Sequence, residues 1–393
     1  MKIIVAHNYY KVGGGEDSVV KNEAKLLADY GNFVKEYSIK NDNINSFVSK
    51  FFTAVGVPFS YKQYKNILKM LTEECPDIVH VHNYFPLFSP SIFFACKKLS
   101  VPVVHTLHNY RAVCPTAILM HNGEINERSV KGASWWTVSK KVYRNSLIGS
   151  LSLTVMVEIH KWLGTWRRKI DCYISLTEFS KEKYISAGWP ECKIFVKPNF
   201  IEDGFGGNTK VQKSGGYALF VGRLSEEKGL AVLLSAWSGV ASQLKIIGDG
   251  PLRDLVESDG TCGVEYLGLK DKPQVLDLIQ NADFIVMPST CYEGFPMVLV
   301  EAFSCGTPAL VSKLGSMEEI VTHGVTGLYF EAGNPKDLAE KVQWMVDNPD
   351  KAREMGRNAR NEYLQKYTPE RNYEMLMDIY QQAIDEAKKR KQA

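Results

Sequence analysis

FIVMPSTCYEGFPMVLVEAFSCGTPALV, residues 284–311, is the stretch whose reading decides the fold. Phe284–Met287 is a short unbroken apolar run, the signature of a strand covered on both faces. Ser289–Phe295 carries the polar and glycine signals of a loop, Pro296 sits where the first position of a helix tolerates proline, and Ala309–Val311 is the next strand. Working outward, the same alternation recurs. Before this unit, Tyr217–Val221, Leu244–Ile247 and Val264–Leu267 read as strands; after Gly327 the chain turns helical, ending in an amphipathic helix over residues 370–388. In the first half, Lys2–His7, Phe33–Ile39, Asp77–His82, Pro102–His108, Asp171–Leu176 and Ile194–Lys197 are β-rich runs separated by helical segments. The fold class that follows is α/β: two doubly wound, Rossmann-like sheets.

A chain of 393 residues exceeds what one core accommodates. The break is expected in FIEDGFGGNTKVQKSGG, residues 200–216, which is rich in glycine and has no apolar period. This gives a domain over residues 1–200 with an insertion at about 110–170, a domain over 201–368, and a helix over 369–393 expected to pack back on the first domain.

The eight cysteines form no CxxC pair, which argues against a zinc or redox site and for free thiols in a reducing compartment. Met1–Asn8 reads as a buried strand and not as a signal peptide, and Leu147–Val157 falls well short of the ~20 apolar residues that span a bilayer. A cytoplasmic location is therefore expected. Charge is uneven: residues 1–200 hold 26 Lys and Arg against 16 Asp and Glu, the remainder 21 against 28. The basic half suits an anionic partner, either a membrane leaflet or a phosphorylated acceptor, although a solvated basic face explains the charge equally well. Trp135, Trp136, Trp162 and Trp166, set among lysines and arginines up to Lys169, are candidate anchors for a peripheral protein at the inner membrane face; packing inside the insertion is the alternative. No nucleic-acid-binding module is present in the sequence.

Four motifs carry chemistry, each at a strand end where open α/β sheets place ligands. In residues 289–310, the amides of Gly294, Phe295 and Met297 around Pro296 open a helix N-terminus, an anion site, while Glu293 and Glu301 lie eight residues apart and suit two ends of a hydroxyl-rich ligand. LFVGRLSEEKG, residues 219–229, offers Gly222 for close backbone approach and Arg223 and Lys228 as a cationic pair for a diphosphate. HNYYKVGGGEDSVV, residues 7–20, brings Gly13, Gly14 and Gly15 to the start of a helix; as a dinucleotide fingerprint with Glu36 it is imperfect. In PVVHTLHNYR, residues 102–111, His108 ends a strand and can bond a sugar hydroxyl, whereas His105 reads as a packed neighbour. Each motif alone has a bland reading as an ordinary turn or as surface charge. No two aspartates stand two apart in a DxD pair, so no metal is expected.

Together EGFPMVLVE, GRLSEEKG, VKPNFIED and GSMEEIVTHGVTGLYF resemble the retaining family 4 glycosyltransferases of the GT-B fold over nearly the whole chain. The resemblance implies a hexosyl group moved from a nucleotide diphosphate sugar to a hydroxyl acceptor, saccharide or lipid-linked, in surface polysaccharide or glycolipid synthesis, with the site in the cleft between domains. It implies that Glu293 meets the donor sugar at the reacting face and Glu301 the ribose. Arg223 and Lys228 would neutralise the diphosphate, helped by the backbone of Gly294, Phe295, Pro296, Gly14 and Gly15, and His108 would contact the sugar near the anomeric centre. Retention would follow front-face attack, with no cofactor and no protein nucleophile. Two other classes stay open: a nucleotide-dependent oxidoreductase, suggested by the glycine loop and Glu36, and a noncatalytic nucleotide-sugar-binding protein.

Overall fold

The computed structural model describes residues 1–10, 14–40, 53–204, 215–258 and 260–392. Gly13 and most of the linker expected at 200–216 lie outside the described residues. The chain divides into two compact units. The first comprises Met1–His121, Asn126–Pro198 and Asn372–Ala393, and the second Asn122–Ile125 and Asn199–Arg371.

In the first unit β1 (Lys2–Tyr9), β2 (Phe33–Lys40), β3 (Ile78–Asn83), β4 (Val103–Leu107), β5 (Cys172–Ser175) and β6 (Ile194–Val196) form one sheet in the order β2-β1-β3-β4-β5-β6, parallel throughout. Every residue of β3, β4 and β5 is buried, which is why apolar residues run on in their sequences, broken only by histidines and by Asn83, Thr106 and Ser175, instead of alternating with surface polar ones. The main helices are α1 (Gly15–Asp29), α2 (Tyr61–Glu74), α3 (Ser91–Lys98), α4 (Leu147–Trp162) and α5 (Glu178–Ser186). Side-chain hydroxyls start three of them: Ser60 accepts from the Gln63 amide, Ser146 from Gly149 and Thr177 from Ser180. Each satisfies an amide that the helix cannot pair internally.

The second unit repeats the architecture with β7 (Tyr217–Val221), β8 (Gln243–Ile247), β9 (Val264–Gly268), β10 (Phe284–Met287), β11 (Ala309–Ser312) and β12 (Gly327–Phe330), in the order β9-β8-β7-β10-β11-β12. Period-two alternation divides its core between the sheet faces. Leu219, Ile285, Met287, Ala309 and Val311 pack with Leu299, Val300, Ala302 and Phe303 of α8 (Met297–Cys305), which follows α6 (Leu230–Trp237) and α7 (Lys272–Asn281) in the chain. Ala218, Phe220, Phe284, Val286 and Leu310 pack instead with Leu230, Leu233 and Trp237 of α6. β12 corrects the expectation that the chain is helical from Gly327. GLYF pairs parallel to β11, and helices α9 (Pro335–Asp347), α10 (Pro349–Lys366) and α11 (Pro369–Gln392) begin later. A four-residue edge strand opening on glycine carries too little pattern to register.

From Asn372 onward α11 belongs to the first unit. Asn372 accepts from Lys197 at 3.0 Å and donates to the Pro198 carbonyl, the Tyr380 hydroxyl meets His80 at 2.8 Å, and Arg390 pairs with Asp171. The ring of Tyr373 stacks on Tyr30 with centroids 3.9 Å apart.

Candidate active site

In the second unit the sheet order reverses between β7 and β10, so the loops leaving these neighbouring strands share one crevice. The β7 loop runs Gly222–Leu224 into a single turn, Glu226–Lys228, and then α6. The β10 loop runs Pro288–Pro296 into α8. Two contacts fix the loops against each other. The Thr290 amide donates to the Glu227 carbonyl at 2.9 Å. Gly229 adopts φ +71°, and a Cβ there would lie 1.9 Å from the Pro288 carbonyl oxygen, so no side chain fits. At the other end of the β7 loop it is Gly248 whose missing side chain lets the protein backbone pack against Gly222. A Cβ on Gly248, at φ +147°, would lie 1.8 Å from the Gly222 oxygen, whereas a Cβ on Gly222 would meet only the Phe220 ring.

This packing brings Lys228 onto Glu293 although 65 residues separate them. The ammonium donates to both carboxylate oxygens, at 2.7 and 2.9 Å, and the Ser289 hydroxyl donates to Oε1 at 2.6 Å. Ser316 anchors the turn by donating to the Glu293 carbonyl. Burial alone would lower the Lys228 pKa, but the adjacent Glu293 charge and hydrogen bond outweigh it and raise it. The two side chains stay 24% and 12% exposed, so solvent and a ligand reach them.

Beside this pair α8 begins without a side-chain cap. Pro296 is the capping residue instead of the first helical one, displaced by one position from the expectation because its backbone is extended. Among the described residues none accepts from the amides of Gly294, Phe295, Met297 or Val298, which leaves the positive end of a helix open beside an ammonium. Arg223, exposed on the β7 loop, pairs with no described residue. Glu301 lies within α8 and is held by Lys272, the first residue of α7, a partner that no sequence signal announced. The arrangement offers cations and amides to an anion, and two carboxylates to hydroxyl groups.

In the first unit Gly14 precedes α1 in an extended conformation, and its amide already donates to Asp17 Oδ2 at 3.2 Å, whereas the Gly15 amide meets no described acceptor. Asp17 also holds the His7 ring, Oδ1 to Nε2, at 2.7 Å. Burial pushes the Glu16 carboxyl up to about 8, against the lowering effect of Arg111 and with help from Asp17. His108 follows β4 and is half-buried; its Nε2 lies 3.0 Å from Nδ1 of His82, and burial together with His82 holds its pKa well below the usual histidine range. His105 is a core residue, bonded to the Val81 carbonyl at 2.8 Å. Glu23, His80 and His82, which sequence reasoning missed, hold ligand-type atoms within 4.8 Å of one another.

The tryptophans do not act as one group. Trp166 is 2% exposed and stacks on Trp189, so it is no interfacial anchor; Trp136 is half-buried with its indole N–H on Ser129; Trp135 and Trp162 are exposed. Among the described residues no helix is long and apolar enough to cross a membrane.

Two family profiles match in tandem: "Glycosyltransferase Family 4" over residues 26–205 and "Glycosyl transferases group 1" over residues 208–362. An uncharacterized glycosyltransferase of Methanocaldococcus jannaschii is 26% identical over 397 residues, covering 98% of this chain and 99% of its own. Among solved structures, the sucrose-phosphate synthase of Thermosynechococcus elongatus superposes with a TM-score of 0.70 at 18% identity, covering 97% of this chain and 98% of that one. The Anabaena protein HepE in complex with UDP superposes at 0.66 with 17% identity, covering 96% and 99%. With both profiles matched in order on two parallel α/β sheets, the chain belongs to the family 4 type glycosyltransferases of the GT-B fold.

Proposed function

We propose that this glycosyltransferase moves a hexosyl group from a nucleotide diphosphate sugar to a hydroxyl of a saccharide or lipid-linked acceptor, with retention and without a metal ion, in surface polysaccharide or glycolipid synthesis. The observation that carries the reading is the Lys228–Glu293 pair beside the uncapped start of α8. Lys228, Arg223 and the amides of Gly294 and Phe295 neutralise the leaving diphosphate, a task that otherwise calls for a metal ion. Pro296 holds those amides ahead of α8, and Gly15 adds an amide, with Gly14 shaping the turn before it. Glu293 bonds hydroxyls of the donor sugar, Glu301 bonds the ribose, and His108 bonds the sugar near its anomeric carbon. The acceptor oxygen attacks that carbon on the face the diphosphate leaves; the carbon–phosphate-oxygen bond breaks as the new bond forms, and the departing phosphate oxygen takes the hydroxyl proton. The UDP bound by the Anabaena neighbour supports a nucleotide at this fold.

The test is release of UDP or GDP from a panel of nucleotide sugars in EDTA, with product anomers read by NMR. Transfer with retained configuration that Glu293→Ala abolishes supports the reading. Dependence on added divalent metal overturns the metal-free mechanism, and binding of NADH instead of UDP or GDP overturns the assignment.

A second feature favours an inner-leaflet location. α4 is apolar on both sides: Leu153, Met156 and Val157 face inward, while Leu147, Ile148, Leu151, Ile159 and Trp162 are exposed, Trp162 at 84%. Exposed Lys140, Lys141 and Arg144 precede it and Arg167 and Arg168 follow it. An outward apolar face bracketed by cations is the composition of a helix lying on an anionic leaflet. Cosedimentation with phosphatidylglycerol vesicles that Leu151→Glu with Trp162→Glu removes supports it; equal partition to neutral vesicles, or none, counts against it.

A further inference from the structure

Beneath His108 lies a chain of buried groups larger than the candidate site needs. Lys197, after β6, places its ammonium 3.0 Å from Glu23 Oε2, and Glu23 Oε1 lies 3.0 Å from both His80 Nδ1 and His82 Nε2. All four residues are at most 2% exposed. His82 continues outward through Nδ1, 3.0 Å from Nε2 of His108. A metal ion at Glu23, His80 and His82 would enter a poor environment. Lys197 already balances the Glu23 charge, and His80 Nδ1 is engaged by the Tyr380 hydroxyl at 2.8 Å. A dication would add uncompensated charge where burial is expensive.

The charge on Glu23, whose Oε1 lies 3.0 Å from both imidazoles, places the protons instead. Burial opposes ionisation of Glu23, but Lys197 and the two imidazoles prevail and hold its carboxyl well below the usual range, so it accepts only. Burial and His80 lower the His82 pKa to about 3, so this ring is neutral and carries one proton. A bare Nε2 would set a lone pair against the carboxylate; the proton therefore sits on Nε2, and Nδ1 is an acceptor. His108, likewise neutral, must then donate from its own Nε2, which leaves its Nδ1 bare. On the far side, the hydrogen bonds of His80 run to two hydroxyls, Tyr380 at Nδ1 (2.8 Å) and Thr106 at Nε2 (2.7 Å).

We infer that Glu23 is a positioning residue which, acting through His82, fixes the tautomer of His108 so that Nδ1 faces the substrate as a hydrogen-bond acceptor. Its meaning for catalysis rests on the proposed contact of His108 with the donor sugar; the tautomer itself does not. A neutral acceptor imidazole recognises a hydroxyl, not an anion.

The experiment is long-range proton–nitrogen NMR on the full chain labelled at histidine nitrogen. In the unmodified protein His108 is expected protonated on Nε2 and bare on Nδ1. In Glu23→Gln the amide turns its carbonyl to Lys197 and its N–H groups to the two histidines, so the protons of His82 and His108 both move to Nδ1. A His108 proton on Nδ1 in the unmodified protein, a tautomer unmoved by Glu23→Gln, or stoichiometric metal at the cluster overturns the inference. Should the variant not fold, the unmodified spectrum alone decides. His108→Ala separates the two proposals: unchanged transfer by that variant sinks the sugar contact while the tautomer stands.

Discussion

Glu293→Gln should tighten binding of the bare nucleotide diphosphate while slowing turnover. In the ligand-free protein Lys228 gives two of its three protons to Glu293, at 2.7 and 2.9 Å, and must be released or shared before it can meet a phosphate. A charged pair this accessible, with side chains 24% and 12% exposed, is worth about 1 kcal/mol. Releasing that restraint corresponds to roughly fivefold tighter binding. Turnover should fall by up to about a hundredfold, since a charge-assisted hydrogen bond made by the carboxylate at the reacting face is worth up to about 3 kcal/mol. The sign depends on pH. Glu293 is what offsets the effect of burial on Lys228; without it burial is unopposed by that carboxylate, the ammonium loses its proton at lower pH, and the gain should vanish under alkaline conditions while the unmodified protein still binds. Calorimetric titration with UDP and with GDP from neutral to alkaline pH reads both effects. Weaker binding by Glu293→Gln near neutrality would refute the idea that the pair competes with the phosphate.

Lys197→Met leaves the buried Glu23 without its cationic partner and should cost about 3–5 kcal/mol in urea unfolding, with Glu23→Gln added in the same chain restoring a substantial part. Gly229→Ala should destabilise by more than about 2 kcal/mol, the left-handed backbone adding to contact with the Pro288 carbonyl, read as a lowered Tm. Glu16 is held protonated to about 8, so the unfolded chain gives up this proton first as pH rises; its contribution to stability falls between about pH 4.5 and 8 and levels off above. Glu16→Gln should flatten that part of the stability profile; an unchanged profile would show that Glu16 ionises normally.

The sheets were legible because burial on both faces removes polar alternation: IVHVH and CYISL cannot be surface strands. The same logic failed at GLYF, where four residues at a sheet edge hold too little signal. Lys228 and Glu293 could be placed on loops after two strands, yet their contact depends on β7 lying beside β10, a topological fact that neither loop encodes. Lys272 on Glu301 had no local signature at all. Glu23 looks like surface charge between Lys21 and Lys25, although its helical spacing from Val19, Val20 and Leu27 puts it on the buried face; a periodicity argument applied to polar residues would have flagged it. Trp166 misled for the opposite reason. Its arginine neighbours suggested a surface, while alternate sides of one helical turn carry them outward and the indole inward.

The return of residues 372–392 to the first unit orders events during synthesis. A nascent chain that has emerged as far as Pro198 lacks the partners that Lys197, His80 and Asp171 later find in Asn372, Tyr380 and Arg390, so its opening half waits on the ribosome until the whole intervening half has been made. Premature stop codons or bulky fusions at the carboxyl end should therefore injure the amino-terminal unit first. Limited proteolysis of such truncations would show residues 1–198 cut while 215–371 still resists.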